Sequence, residues 1–241
     1  MSMKNTLTMA CTIVATLAVG GWNLAAEPQF REDMRPVFLL AGQSGARPPR
    51  VLLIGDSIAR GYLNRVAETF ENEATVIYGG TGTTGHGLKH LDKLLGDEKW
   101  DVIHFNWGLH DLCYRHPDSV VYGNRDKAKG TIGTTLEQYE INLDQLVVRL
   151  KRTGAKLIWA NTTVVPPGEA GRFLGDDVKY NAVAAKIMKM HDIVTNDLHT
   201  LTSGLSQNHF VTVGDVHYNP VGSERIGNQV TAAIRRALNS K

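Results

Sequence analysis

Val51-Leu52-Leu53-Ile54 is an unbroken apolar run that ends in Gly55-Asp56-Ser57, and a polar, helix-compatible segment follows from Ile58. A short apolar run bounded by glycine predicts a strand buried on both faces. Such strands belong to parallel sheets covered by helices, so this one stretch narrows the fold to the α/β class. It also says where chemistry would sit. Open α/β sheets keep their sites at the carboxyl ends of the strands. Ser57, at that turn and at the start of the helix, is the candidate nucleophile.

The rest of the chain repeats the alternation. A helical pattern covers Ile58 to Glu71, and Ala74-Thr75-Val76-Ile77-Tyr78 predicts a second strand. Gly79 to Gly87 reads as a Gly/Thr loop, with an amphipathic segment from Leu88 to Leu95. Trp100 to Trp107 predicts a third strand, ending at Gly108-Leu109-His110-Asp111. The stretch from Tyr114 to Gly133 is polar and aperiodic, as expected of a loop flanking a site. Thr134 or Thr135 can cap a long helix that Gly154 ends. Ala155 to Val165 predicts a fourth strand, Asp177 to Met190 a helix, and Ile193-Val194 a short fifth strand. Asp197 to Leu205 follows, and Val211-Thr212-Val213 leads into Asp215-Val216-His217. Pro220 opens a last helix, on which Ile226, Val230, Ile234 and Leu238 form one apolar stripe. The expected fold is a three-layer α/β/α sandwich around a parallel sheet of about five strands, flavodoxin-like in class.

The 241 residues are 42% hydrophobic and 21% charged, which suits one globular domain with a real core. Net charge is +2, with no clustered basic stripe, so no nucleic-acid partner is expected. The first 26 residues carry one charge, Lys4, followed by a mostly apolar run from Leu7 to Leu24 and a small-residue site at Ala25-Ala26. That is the pattern of a signal peptide, the alternative being an uncleaved anchor. The expected division is a signal peptide over 1–26, a linker over 27–49 and the folded domain over 50–241. A secreted or periplasmic location follows, with no stable membrane association after cleavage. Of the two cysteines, Cys11 lies in the leader, so Cys113 has no disulfide partner in the domain.

A serine that cleaves an ester needs a base, a group that orients the base, and donors for the oxyanion. Three strand ends can supply them: Ser57, the Gly79–Gly87 loop with the Gly108–Asp111 turn, and Asp215–His217. With these blocks in this order, the chain resembles the SGNH (GDSL-type) hydrolase superfamily over about residues 50 to 238. The resemblance implies a serine ester hydrolase with Ser57 as nucleophile, His217 as base and Asp215 as the orienting acid. It further implies an oxyanion hole made by Ser57, Gly82 and the residue at position 110, and no cofactor or metal. Resemblance to export-linked members favours a short acyl substrate, acetyl, on a carbohydrate or glycan. Lipid or thioester substrates are the enzymatic alternative, and an inactive glycan-binding module the non-enzymatic one.

Two positions depart from the family pattern. Its Asn is His110 here, and His titrates where Asn does not, so an extra ionisation is expected in the pH–rate profile. Its acid normally stands three residues before the base. That position is Gly214 here, and the acid is Asp215, two before. In extended backbone that spacing puts both side chains on one side. The alternative is a dyad oriented by a backbone carbonyl.

Several features compete for a function. Ser44 follows another apolar run, but Pro48 and Pro49 block a helix after it. Gly80-Thr81-Gly82-Thr83-Thr84-Gly85 formally matches a dinucleotide fingerprint, without an acid at the end of the next strand. His86 and His90 are four apart on a helix and lack a third metal ligand. His104 reads as a core residue, Trp107 as core or as a sugar platform, and Asn161-Thr162-Thr163 as a chance sequon in a strand.

Overall fold

The structure, a computed structural model, describes residues 47–240. The expected signal peptide, Ser44 and all but the last three residues of the expected linker lie outside them. The elements run β1 (Arg50–Gly55), α1 (Ser57–Thr69), β2 (Thr75–Gly80), α2 (Thr84–Leu95), β3 (Val102–Phe105), β4 (Tyr114–Arg115), β5 (Thr131–Ile132) and α3 (Leu136–Lys151). Then come β6 (Lys156–Ala160), α4 (Asp176–Met190), β7 (Val194–Asn196), α5 (Leu198–Ser203) and α6 (Pro220–Asn239).

Five strands form one parallel sheet in the order β2-β1-β3-β6-β7. Val51, Leu52, Leu53 and Ile54 are fully buried at its centre, as their continuous apolar run requires. Helix α6 packs against α1 and α5, and α3 packs against α2 and α4. The crossovers of a parallel sheet put these two groups on opposite faces. The result is the three-layer α/β/α sandwich expected from the sequence. Ile226, Val230 and Ile234 of α6 are fully buried, and Asn219 caps the helix by accepting from Gly222 N at 3.0 Å.

The strand order reverses between β1 and β3. Chains leave these neighbours toward opposite faces, which opens a crevice at their carboxyl ends. Ser57 follows β1 directly, and the Gly108–Asp111 turn follows β3.

Some boundaries differ from expectation. The Gly79–Gly87 loop shrinks to Thr81-Gly82-Thr83, because β2 runs on through Gly80 and α2 begins at Thr84. Thr83 caps that helix, accepting from His86 N at 3.2 Å. The fourth strand stops at Ala160. Beyond it the backbone bonds to a side chain instead, with Thr162 N donating to Asn181 Oδ1 and Asn181 Nδ2 to Thr162 O, both at 2.8 Å. The 114–133 stretch contains the two-residue ladder β4–β5. No helix among the described residues is long and apolar enough to cross a membrane.

Candidate active site

Asp56 follows β1 and caps α1, its carboxylate accepting from Ile58 N at 2.9 Å. The Tyr78 hydroxyl donates to the carbonyls of Gly55 at 3.1 Å and Asp56 at 2.9 Å, which pins the turn from the side of β2. Ser57 is thereby held at the first position of a 13-residue helix, where the helix dipole is positive. Its Oγ lies 2.8 Å from His217 Nε2. The opposite ring nitrogen, Nδ1, is 2.5 Å from Asp215 Oδ1, and the same oxygen accepts from His217 N at 2.9 Å. The carboxylate contact selects the Nδ1–H tautomer, which leaves Nε2 free to accept the Ser57 hydroxyl proton. Burial works to raise the Asp215 carboxyl. The side-chain and backbone hydrogen bonds from His217, with the charges of His217 and Arg125, overcome it and hold the group down to about 2.

The shifted register of the acid has a steric cause. Gly214 has φ +75°, and a methyl on it would stand 2.8 Å from the Gly168 carbonyl oxygen. No side chain fits where the family pattern puts its acid. Asp215, one residue on, reaches the backbone N and the ring Nδ1 of His217.

Gly82 and His110 lie close to each other. The backbone of β2 runs beside β1, and Thr81 N donates to the Gly55 carbonyl at 2.9 Å. A methyl on Gly82 would lie 4.0 Å from His110 Nδ1. Burial pulls His110 down to about 4. Asp56 opposes this, while Arg172, Arg115 and His217 push the same way. The imidazole is therefore neutral near pH 7 and keeps a single N–H to donate.

Two residues that flank the 108–110 turn hold the Gly82 segment in place. Trp107 Nε1 donates to Thr81 Oγ1 at 2.9 Å. Asp111 Oδ1 accepts from Thr84 N at 2.8 Å and from Thr84 Oγ1 at 2.6 Å. Asp111 is fully buried, and burial pushes its carboxyl up to about 6 against hydrogen bonds from Thr84 and Thr134. The sequence reading missed this pair of fastenings. The position of both residues beside the Gly108–His110 turn was the available signal.

The competing features resolve individually. Trp107 is 1% exposed, so it is no sugar platform. His104 is a core residue 3.1 Å from Asn196 Nδ2, and burial pulls it down to about 3. The His86 and His90 rings lie 4.3 Å apart, and no group of three or more His, Cys, Asp or Glu among the described residues is arranged to hold a metal. Asn161 is engaged through both ends of its amide, donating to Asp197 Oδ1 and accepting from His199 N, each at 2.8 Å. Cys113 is buried and free.

The profile of the GDSL-like lipase/acylhydrolase family matches residues 53–225, from within β1 to the first turns of α6. No curated protein matches the chain. Among solved structures, a lipase/acylhydrolase from Enterococcus faecalis superposes with TM-score 0.63 at 22% identity, covering 78% of this chain and 96% of that one. The acetyl xylan esterase AlAXEase gives 0.61 at 16%, covering 77% and 99%. A catalytic mutant of Axe2, an acetylxylan esterase from Geobacillus stearothermophilus, gives 0.59 at 15%, covering 80% and 95%. At these identities the likeness is one of fold, and the family profile carries the assignment. The chain belongs to the GDSL-like lipase/acylhydrolase family and is a hydrolase of ester bonds.

Proposed function

We propose that this chain is an exported esterase that removes a short acyl group, acetyl, from a carbohydrate through Ser57. One observation carries the reading. It is the unbroken contact chain from Ser57 Oγ to His217 Nε2 at 2.8 Å and from His217 Nδ1 to Asp215 at 2.5 Å.

Ser57 Oγ attacks the acyl carbon as its proton passes to His217 Nε2. The imidazolium that forms is met by Asp215, which stays ionised at any pH well above about 2. Charge on the carbonyl oxygen is received by the backbone N–H groups of Ser57 and Gly82 and by the neutral His110 imidazole. Each such donor is worth about 10²–10³ in rate. Collapse of the adduct breaks the ester bond, and the alcohol leaves with the proton from Nε2. Water then gives a proton to Nε2 as it attacks the acyl-serine, and collapse returns that proton to Ser57 Oγ and releases the acid.

Acetyl and carbohydrate are favoured by the acetyl xylan esterases found among the fold neighbours. A longer-chain acyl substrate is the second reading, favoured by the Enterococcus lipase/acylhydrolase. Export rests on the leader-like residues 1–26.

The test has two parts, hydrolysis of 4-nitrophenyl acetate against 4-nitrophenyl octanoate and acetate release from acetylated polysaccharides. Preference for acetate and release from a polysaccharide support the proposal. Preference for octanoate overturns the acyl assignment, and no release from any acetylated polysaccharide overturns the carbohydrate assignment.

A further inference from the structure

Two loops meet on one buried carboxylate. Glu169 lies in the connection between β6 and α4, and its side chain is 0% exposed. Its Oε1 accepts from Arg125 Nη1 at 2.7 Å and from Arg172 Nη1 at 2.9 Å, and its Oε2 accepts from Gly171 N at 2.7 Å. Arg125 comes from the loop between β4 and β5, as does Lys127, whose Nζ donates to the Glu169 carbonyl at 2.6 Å.

The bonds continue outward to the site. Arg172, itself buried, donates from Nε to the Leu109 carbonyl at 2.8 Å. Leu109 immediately precedes His110. On the other side, Gly168 adjoins Glu169 in sequence and packs against Gly214, which adjoins Asp215. Each conformation at that contact is left-handed, with φ +84° at Gly168 and +75° at Gly214.

A buried ion cluster is weak evidence for stability, since two charges lose hydration to form each pair. What this cluster supplies is direction. Arg172 ends on the segment that carries His110, the main chain at Gly168 backs the segment that carries Asp215, and neither segment belongs to a helix or strand. We propose that Glu169 is a positioning residue for both halves of the active site. Through Arg172 it sets the turn that carries His110. Through Gly168 it backs Gly214 and so sets Asp215 against His217. The proposal rests on the roles given above to Ser57, His217, Asp215 and His110.

Two substitutions test it. Glu169→Gln keeps the shape of the side chain and removes the charge between the guanidiniums. Arg172→Lys keeps the charge and removes the bond from Nε to Leu109. Each is assayed for kcat and KM on 4-nitrophenyl acetate, for folding by circular dichroism, and for active-site stoichiometry with a fluorophosphonate. A displaced site loses about 10- to 100-fold in kcat. KM stays near wild type, and labelling is slower but still reaches one per chain. A folded variant of either kind with wild-type kcat overturns the proposal. So does a loss of activity that equals the fraction of protein unable to label, because that is instability alone. If Glu169→Gln does not fold, Arg172→Lys decides. If neither folds, the cluster is a folding element and the proposal is likewise overturned. Ser57→Ala runs alongside. Activity surviving in that variant removes the underlying catalytic reading, whereas a dead Ser57→Ala beside a fully active Glu169→Gln removes the positioning role only.

Discussion

His110 stands where the family pattern has an amide, and its environment decides what that exchange does. The sequence alone predicts a group that titrates near 6.5 and adds an ionisation to the pH–rate profile. Burial pulls the imidazole down to about 4, and Arg172, Arg115 and His217 help, with Asp56 alone opposing. At pH 7 only about one molecule in a thousand then carries imidazolium at this position. The working donor is a neutral N–H, chemically close to the amide of Asn. His110→Asn and wild type should therefore show superimposable kcat/KM profiles on 4-nitrophenyl acetate above about pH 5. They should part only near pH 4, where the wild-type imidazole takes its proton. His110→Ala leaves no donor and should lose about 10²–10³ in kcat. An ionisation above about pH 5.5 that vanishes in His110→Asn would refute the burial argument. Alanine at the position with less than about a threefold loss would refute the donor role.

Further outcomes follow from the other buried groups. His104 takes its proton at about 3 when folded and near 6.5 when unfolded, so its contribution is intact above 6.5 and is lost as pH falls through about 3. Urea melts should show stability declining by up to about 1.4 kcal/mol per pH unit from this one group, with a shallower slope in His104→Gln. Asp111 has the opposite sign. Its folded value is raised from 3.8 to about 6, so the contribution is full below 3.8 and is lost as pH rises through about 6. Asp111→Asn keeps an acceptor for Thr84, and should gain up to about 3 kcal/mol over wild type at pH 8 and nothing near pH 4. Moving the acid to its usual register in a Gly214→Asp, Asp215→Ala double variant should fail to restore activity. The new Cβ meets the Gly168 carbonyl at 2.8 Å, and losing the acid of a serine triad costs about 10⁴ in kcat. Recovery of wild-type kcat in that variant would show that Gly214 is not sterically confined.

What was legible in the sequence was local. The Val51–Ile54 run, the turn at Ser57 and the four-residue spacing on α6 each encode burial within one element, and each is where it was expected. The start of α2 was hidden because its cap is tertiary in part. Thr84 is tied to Asp111, which arrives from the far end of β3, and glycines at 82, 85 and 87 argue locally against a helix. Trp107 was ambiguous because only its partner, Thr81 Oγ1, reveals that the ring faces inward. Glu169 gave no signal at all. It pairs with Arg125, 44 residues away, and buried charges of that separation follow no period. The displaced acid was visible, but its reason was not, since the confinement of Gly214 depends on the backbone of Gly168.

The central claim is that Ser57 is the atom-bearing nucleophile of an ester hydrolase. The most direct measurement is fluorophosphonate labelling followed by peptide mass mapping, with turnover of 4-nitrophenyl acetate in wild type and Ser57→Ala. The account predicts one label per chain on the peptide containing Ser57, no label in Ser57→Ala, and turnover in that variant reduced to background. Equal turnover in the two proteins, or a label on any other residue, would contradict it.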